Sequence, residues 1–417
     1  MRHRIADVYK AGVLAARLER HDGGTRFSYL PAYLASGGPA VASSLPLTAV
    51  PVLSAAGAAP PYFTGLLPEG RRLNALRRSV KTSVDDELSL LIAAGANPVG
   101  DVQIVGHGEK LDPDEHAVEL DPGTPVDFDA LLGDSGLIDP VALAGVQDKL
   151  SAGMISMPVA SAGRRYILKL NAPEFPHVVE NECAMFRYAA RLRIPLSRVR
   201  LIRDVAGRPG LLVERFDRVP VAQAAGFTTA GASPNAVLRL AVEDGAQVLG
   251  LYPADKYNVG YGQVCHALAA YCAAPLPALR NLALQAAFAW LAGNGDLHAK
   301  NVSMVQQPSG EWSVAPVYDI PSTVVYGDKT LALTLGGKRT GISRKHFLGW
   351  AAEMGLTGRA AVQILELALK ASAPLLADLQ GGTAFSSMTD DGASPFPATV
   401  TRDWIKELKH RRRLMEG

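Results

Sequence analysis

The sequence predicts an α+β protein, β-rich in its first part and mainly helical from Gly262 onward. Three observations carry this. Residues 4–9, 13–18 and 26–29 are short strand-like runs at close spacing, the first two around the turn Lys10-Ala11-Gly12, which suggests a small barrel or curled sheet. Further β-runs follow at 102–105, 154–158, 166–170 and 212–218. Helical spacing then takes over at 263–273, 277–292, 344–353, 358–379 and 402–415. It is interrupted by a hairpin pattern at 302–305 and 312–314, around Pro308-Ser309-Gly310.

Bulk properties bound the class. A chain of 417 residues holds two or three domains. Hydrophobic content of 48% and charged content of 20% are ordinary for a soluble globular protein. A net charge of +2 gives little electrostatic reason to expect nucleic acid as the main partner. Cys183, Cys265 and Cys272 form no C-x-x-C pair and read as reduced thiols of a cytosolic protein. The N-terminus has no signal-peptide pattern. Residues 27–68 carry no Lys, Arg, Asp or Glu, but Pro31, Pro39, Pro46, Pro51, Pro60, Pro61 and Pro68 break every window long enough for a membrane span. Short strands and turns are expected there, and no membrane partner.

The chemistry concentrates in residues 290–321, WLAGNGDLHAKNVSMVQQPSGEWSVAPVYDIP. An apolar helical run ends at Gly293-Asn294-Gly295. Asp296 follows, then Asn301 in the same loop, then Asp319 beyond the hairpin. Protein kinases need this order: an Asp to take the proton of the attacking hydroxyl, an Asn and a second Asp to hold metal ions. Phosphoryl transfer asks mainly for positioned oxygens and neutralised charge. Read alone, the spacing also fits a helix-capping Asp296, a turn Asn301 and a surface Asp319. The kinase reading predicts a two-lobed protein-kinase-like fold with an N-terminal β-rich subdomain and an all-α C-terminal lobe.

The full string is more specific. GDLHAKN followed by PVYDIPS resembles the HipA family of bacterial serine/threonine kinases, the toxin halves of toxin–antitoxin pairs, and further motifs extend the resemblance over nearly the whole chain. The segment Tyr62-Phe63-Thr64-Gly65-Leu66-Leu67-Pro68 is similar to the one that closes the family's N-terminal subdomain. LAGVQDKL, residues 143–150, resembles its phosphate-side loop, and VERFDR, residues 213–218, the strand joining its two lobes. The H-R-D, D-F-G and G-x-G-x-x-G signatures of ordinary kinases are absent, a departure that the family shares.

The resemblance implies roles for particular residues. Asp296 is the catalytic base, with His298 and Lys300 adding positive charge near the transferred group. Asn301 and Asp319 hold Mg2+. Lys169 steadies the phosphates of ATP and pairs with Glu182 from the next helix. Gly145, Val146, Gln147 and Lys149 form the phosphate-side loop. The backbone of Glu214 and Phe216 holds the base, and Asp217 reaches ribose or braces the loop through Arg218. Glu243 and Asp244 brace the second lobe. Family toxins often phosphorylate a serine in the phosphate-side loop; Ala142 stands there, which puts self-inactivation in doubt, with Ser151 a substitute.

The expected domains are a β-rich subdomain (1–106), an acidic linker (107–140) with a short helix near 128–132, an ATP-binding lobe (141–250) and a mainly helical catalytic lobe (251–417). Arg71, Arg72, Arg77 and Arg78 read as a solvated helix face or a contact with a partner or second lobe. The basic end of the last helix, with Lys406, Lys409 and Arg411 to Arg413, reads as a solvated face.

The resemblance implies a cytoplasmic ATP- and Mg2+-dependent protein kinase toxin whose substrate is a translation component such as an aminoacyl-tRNA synthetase. A HipB-like helix-turn-helix antitoxin would bind it and link it to DNA indirectly. A catalytically silent, nucleotide-binding co-repressor subunit is the alternative. A small-molecule kinase is a third reading, opposed by the N-terminal module and VERFDR.

Overall fold

The computed structural model describes residues 4–55, 57–111, 117–121, 123–134, 155–221, 236–389 and 392–417. The first sheet contains β1 (Ile5–Lys10), β2 (Val13–His21), β3 (Gly24–Tyr29), β4 (Val52–Ser54) and β5 (Val102–Gly106) in the order β4-β3-β2-β1-β5, antiparallel throughout. Ala11-Gly12 and Asp22-Gly23 form its two-residue hairpin loops, all four residues at positive φ. Type I′ turns require this, and their twist matches that of the strands. Ala6, Val8, Ala16, Leu18 and Phe27 turn one face inward, where Tyr62, Phe63 and Leu88 close the core.

The charge-free stretch differs from expectation. Besides β4 it forms two short helices, Pro31–Ser36 and Pro61–Leu66, each with proline in its first turn. Proline there lacks only an N–H that would have no helical partner. In the helix Gly70–Val80, Arg71 pairs with Glu174 of the next lobe at 2.5 Å, so this residue takes the second-lobe alternative.

The second sheet holds β6 (Val118–Glu119), β7 (Ile155–Ser161), β8 (Arg164–Leu170), β9 (Val199–Arg203) and β10 (Pro209–Glu214) in the order β6-β7-β8-β10-β9. Only the β6–β7 pair is parallel. The helix Val178–Ala189 lies on this sheet, with Val179 packed against Leu211 and Val213. Part of the stretch expected as a linker belongs here: β6 is an edge strand, and Phe128 of the helix Phe128–Asp134 is buried with Leu120, Leu168 and Leu212. Leu120 and Phe128, with Val126, Leu131 and Leu132 packed against them, dock this acidic segment on the sheet.

Two small sheets lead into the last lobe, β11 (Arg218–Pro220) with β12 (Val237–Arg239), and β13 (Val242–Asp244) with β14 (Ser303–Gln306) and β15 (Trp312–Val314). The lobe is otherwise helical. Its centre is the helix Pro275–Ala292, buried at every residue from Leu282 to Ala292, as befits a helix apolar on all sides. The helices Tyr261–Tyr271, Gly358–Gly381 and Ala398–Glu416 surround it. The helix Gly358–Gly381 is long and apolar enough to cross a membrane. Here it buries Ile364, Leu365, Ala368 and Leu375 in the lobe core.

Arg411 corrects the expectation for the basic end of the chain. Its fully buried guanidinium sits 4.3 Å from the Trp290 ring centroid and donates to Trp290 O (3.0 Å) and Lys329 O (2.7 Å). A planar cation with several donors satisfies ring and carbonyls together.

Candidate active site

The central helix stops at Gly293, whose φ of 80° suits glycine and turns the chain out of the helix. Asn294 Oδ1 then accepts the Asp296 N–H at 2.8 Å, and Asn301 Nδ2 donates to Asp296 O at 2.9 Å. Asn301 N–H closes the turn onto His298 O, also at 2.9 Å. The expected base and the expected amide ligand are thus two ends of one bonded loop, both buried.

Asp319 emerges after β15 in the left-handed backbone region, at φ 52°. Asp tolerates that conformation better than most residues. The preceding Tyr318 fixes the approach, its hydroxyl donating to Lys300 O at 2.8 Å and meeting Ser303 Oγ at 2.5 Å. The β-run expected over 212–218 is broken by a turn between β10 and β11, and Phe216 in that turn packs 5.7 Å from the Tyr318 ring.

Lys169 reaches this loop from β8. Its Nζ lies 2.8 and 2.9 Å from the two Glu182 carboxylate oxygens and also contacts Asp319 Oδ1. The structure therefore brings together Lys169, Glu182 and Asp319, the last 150 positions from the lysine. Burial alone would pull the Lys169 amine down, but Asp319 and Glu182 outweigh it and keep the ammonium charged.

Other expected residues stand differently. His298 is 2% exposed, edge-on to the Tyr257 ring at 5.1 Å, with Nε2 4.0 Å from Asp296 Oδ1. Burial, with Lys256 and Lys300 nearby, pushes its pKa well below the usual value, so the imidazole is neutral and adds no positive charge. Lys300 donates to Gly65 O at 3.0 Å and lies 2.9 Å from Glu69 Oε1, so the N-terminal module holds its ammonium.

Asp217 does not reach out for a ribose. Both its oxygens are taken inside the protein by Arg215 (3.0 and 2.8 Å), Arg218 (2.7 Å) and the Gly100 N–H (2.9 Å). The Glu214 N–H is engaged by Arg198 O at 2.8 Å, and its carboxylate by Arg164 at 2.5 Å. Gly145, Val146, Gln147 and Lys149, with Ala142 and Ser151, lie outside the described residues.

Sequence reasoning missed Glu69, Lys256 and Tyr318. Glu69 follows the aromatic–LLP segment directly, and that adjacency was its one available signal.

The residues fit a small hard cation. Asn301 spends its amide N–H on Asp296 O, which leaves Oδ1 to accept a metal. Asp319 keeps about a third of its side chain exposed. Among the described residues no group of three or more His, Cys, Asp or Glu gathers at metal distance. Mg2+ needs none, since it takes one or two carboxylates and fills its octahedron with water and substrate phosphate.

The HipA N-terminal domain matches residues 6–105 and the HipA-like C-terminal domain residues 141–374. Y4mE of Sinorhizobium fredii is 31% identical over 317 residues, 70% of either chain. The serine/threonine-protein kinase toxin HipA of Shewanella oneidensis is 28% identical over 306 residues, 64% of either chain. In the solved complex of Shewanella oneidensis HipA with HipB and operator DNA, one chain superposes with a TM-score of 0.74 at 20% identity, covering 98% of this chain and 96% of that one. With both domains matched in order and the fold shared along its length, the chain belongs to the HipA family.

Proposed function

We propose that this protein is an ATP- and Mg2+-dependent serine/threonine protein kinase that acts in the cytoplasm as the toxin of a HipA/HipB-like pair. The observation that carries the reading is the meeting of Lys169, Glu182 and Asp319 beside the bonded Asp296–Asn301 loop. The reading takes Lys169 as the cation for phosphates, Asn301 and Asp319 as the oxygen donors for metal, and Asp296 as the carboxylate base.

In this mechanism Asp296 accepts the proton of the substrate hydroxyl and orients it. Asn301 and Asp319 would hold Mg2+, which would supply neutralisation of the phosphate charge. Lys169, fixed by Glu182, holds the phosphates of ATP, and phosphate-side binding is also assigned to Gly145, Val146, Gln147 and Lys149. The Glu214 carbonyl and the Phe216 N–H hold the base. The substrate is a protein hydroxyl, and we assign it to the class of translation components that includes aminoacyl-tRNA synthetases. The partner is a HipB-like helix-turn-helix antitoxin, through which the chain meets DNA indirectly; the solved HipA–HipB–operator complex supports this pairing.

Phosphate transfer from radiolabelled ATP to protein tests the reading. Asp296→Asn is expected to reduce transfer about 100- to 10,000-fold, the usual worth of a positioned base. Equal transfer by wild type and variant would remove Asp296 from that role.

A further inference from the structure

Glu69 belongs to the N-terminal module yet works at the catalytic loop. It stands at the N-cap of the helix Gly70–Val80 but makes no side-chain cap bond to it. A carboxylate at a helix start ordinarily serves that helix. This one turns away: Oε1 lies 2.9 Å from Lys300 Nζ, and Oε2 contacts Lys256 Nζ.

Both lysines are nearly buried, at 9% and 12% side-chain exposure. Each is tied through its main chain to the loop. Lys256 O accepts the Ala299 N–H at 3.2 Å, and Lys300 O accepts the Tyr318 hydroxyl at 2.8 Å. Asn301 comes next and holds Asp296 O. Two poorly solvated ammonium groups from two bonded segments, held beside one carboxylate, repel each other unless that anion stands between them. Burial pushes the Glu69 carboxyl up, but Lys300 and Lys256 hold it at about 2, so it stays charged at neutral pH.

We infer that Glu69 is a positioning residue for phosphoryl transfer, the shared counter-ion of Lys256 and Lys300 that sets the 299–301 turn and, through it, Asn301 and Asp296. It also keeps both ammonium groups on the side of the N-terminal module. The chemistry rests on the kinase reading above; the geometry does not.

The test uses the full-length chain carrying Glu69→Gln, with Glu69→Asp as the conservative variant. Amide hydrogen exchange of residues 294–306 is followed beside residues 164–170 as a control, and kcat and KM for ATP are measured. In Glu69→Gln, loop exchange is expected to quicken about tenfold with the control unchanged, as for a local opening. Its kcat is expected to fall about tenfold with KM for ATP within about threefold, the mark of an effect on the transition state. Glu69→Asp is expected to recover part of both. Unchanged loop exchange, equally faster exchange in the control, or faster loop exchange with full kcat each overturns the assignment. Loop-confined exchange in a chain whose wild type transfers no phosphate supports the clamp and sinks the kinase reading instead.

Discussion

At Asp217 the fold takes up one of two roles that the sequence left open, the brace through Arg218. In VERFDR its carboxylate either reaches a ribose or braces the loop through Arg218; in the fold it is the buried anion between Arg215 and Arg218. Burial opposes its ionisation, but the two guanidinium groups and the Gly100 N–H win and hold its carboxyl well below the usual range. Removing one partner from such a cluster leaves uncompensated buried charge, so Asp217→Asn is expected to lose about 3–5 kcal/mol at pH 7, read by urea denaturation. Because the folded-state pKa is depressed, this contribution is complete above the unfolded value of about 3.9 and fades as pH falls below it. The gap between the two proteins should therefore narrow in acid. His298 teaches a related lesson: its residue type is visible in the sequence, but its charge state is a property of burial.

At the scale of elements, periodicity carried most of the information. The strands 5–10, 13–21 and 24–29, the central helix and the 303–314 hairpin follow directly from apolar spacing and turn residues. Lys169 with Glu182 was legible because a lysine in an apolar strand needs an anion, and the next helix offers one early. The Pro31 and Pro61 helices were not legible, since proline marks a turn as readily as a helix start. Gly295 adds a constraint that spacing could not show. A Cβ there would lie 2.4 Å from Thr330 O and 2.6 Å from Thr323 Oγ1. Gly295→Ala is expected to displace the catalytic loop and reduce phosphate transfer at least about tenfold, since small misplacements of reacting groups are costly. Retention of full activity would show that the loop absorbs the methyl.

Across the whole molecule the N-terminal module is not a separate bead. Ser43 donates to Glu243 through its N–H (2.8 Å) and hydroxyl (2.6 Å), and Gln247 Nε2 donates to Tyr62 O at 3.0 Å. Arg215 and Arg218 both donate to Pro98 O, at 2.9 and 2.8 Å. With Arg71–Glu174 and the Glu69 cluster, the module grips both lobes and the strand between them. Such contacts join residues up to 235 positions apart, as Lys300 and Gly65 are, which local sequence pattern does not report. Calorimetry is expected to give one cooperative transition, and two separated ones would show the module melting alone.

The bond between Lys169 and Asp319 joins the two lobes themselves, and it has a price for anything that enters between them. On the proposed function Asp319 would serve two cations, the resident ammonium and an arriving dication, and nucleotide loading would be an exchange of partners. Lys169→Met should consequently pull in opposite directions: Mg2+ alone held more tightly, ATP more loosely, both readable by titration calorimetry.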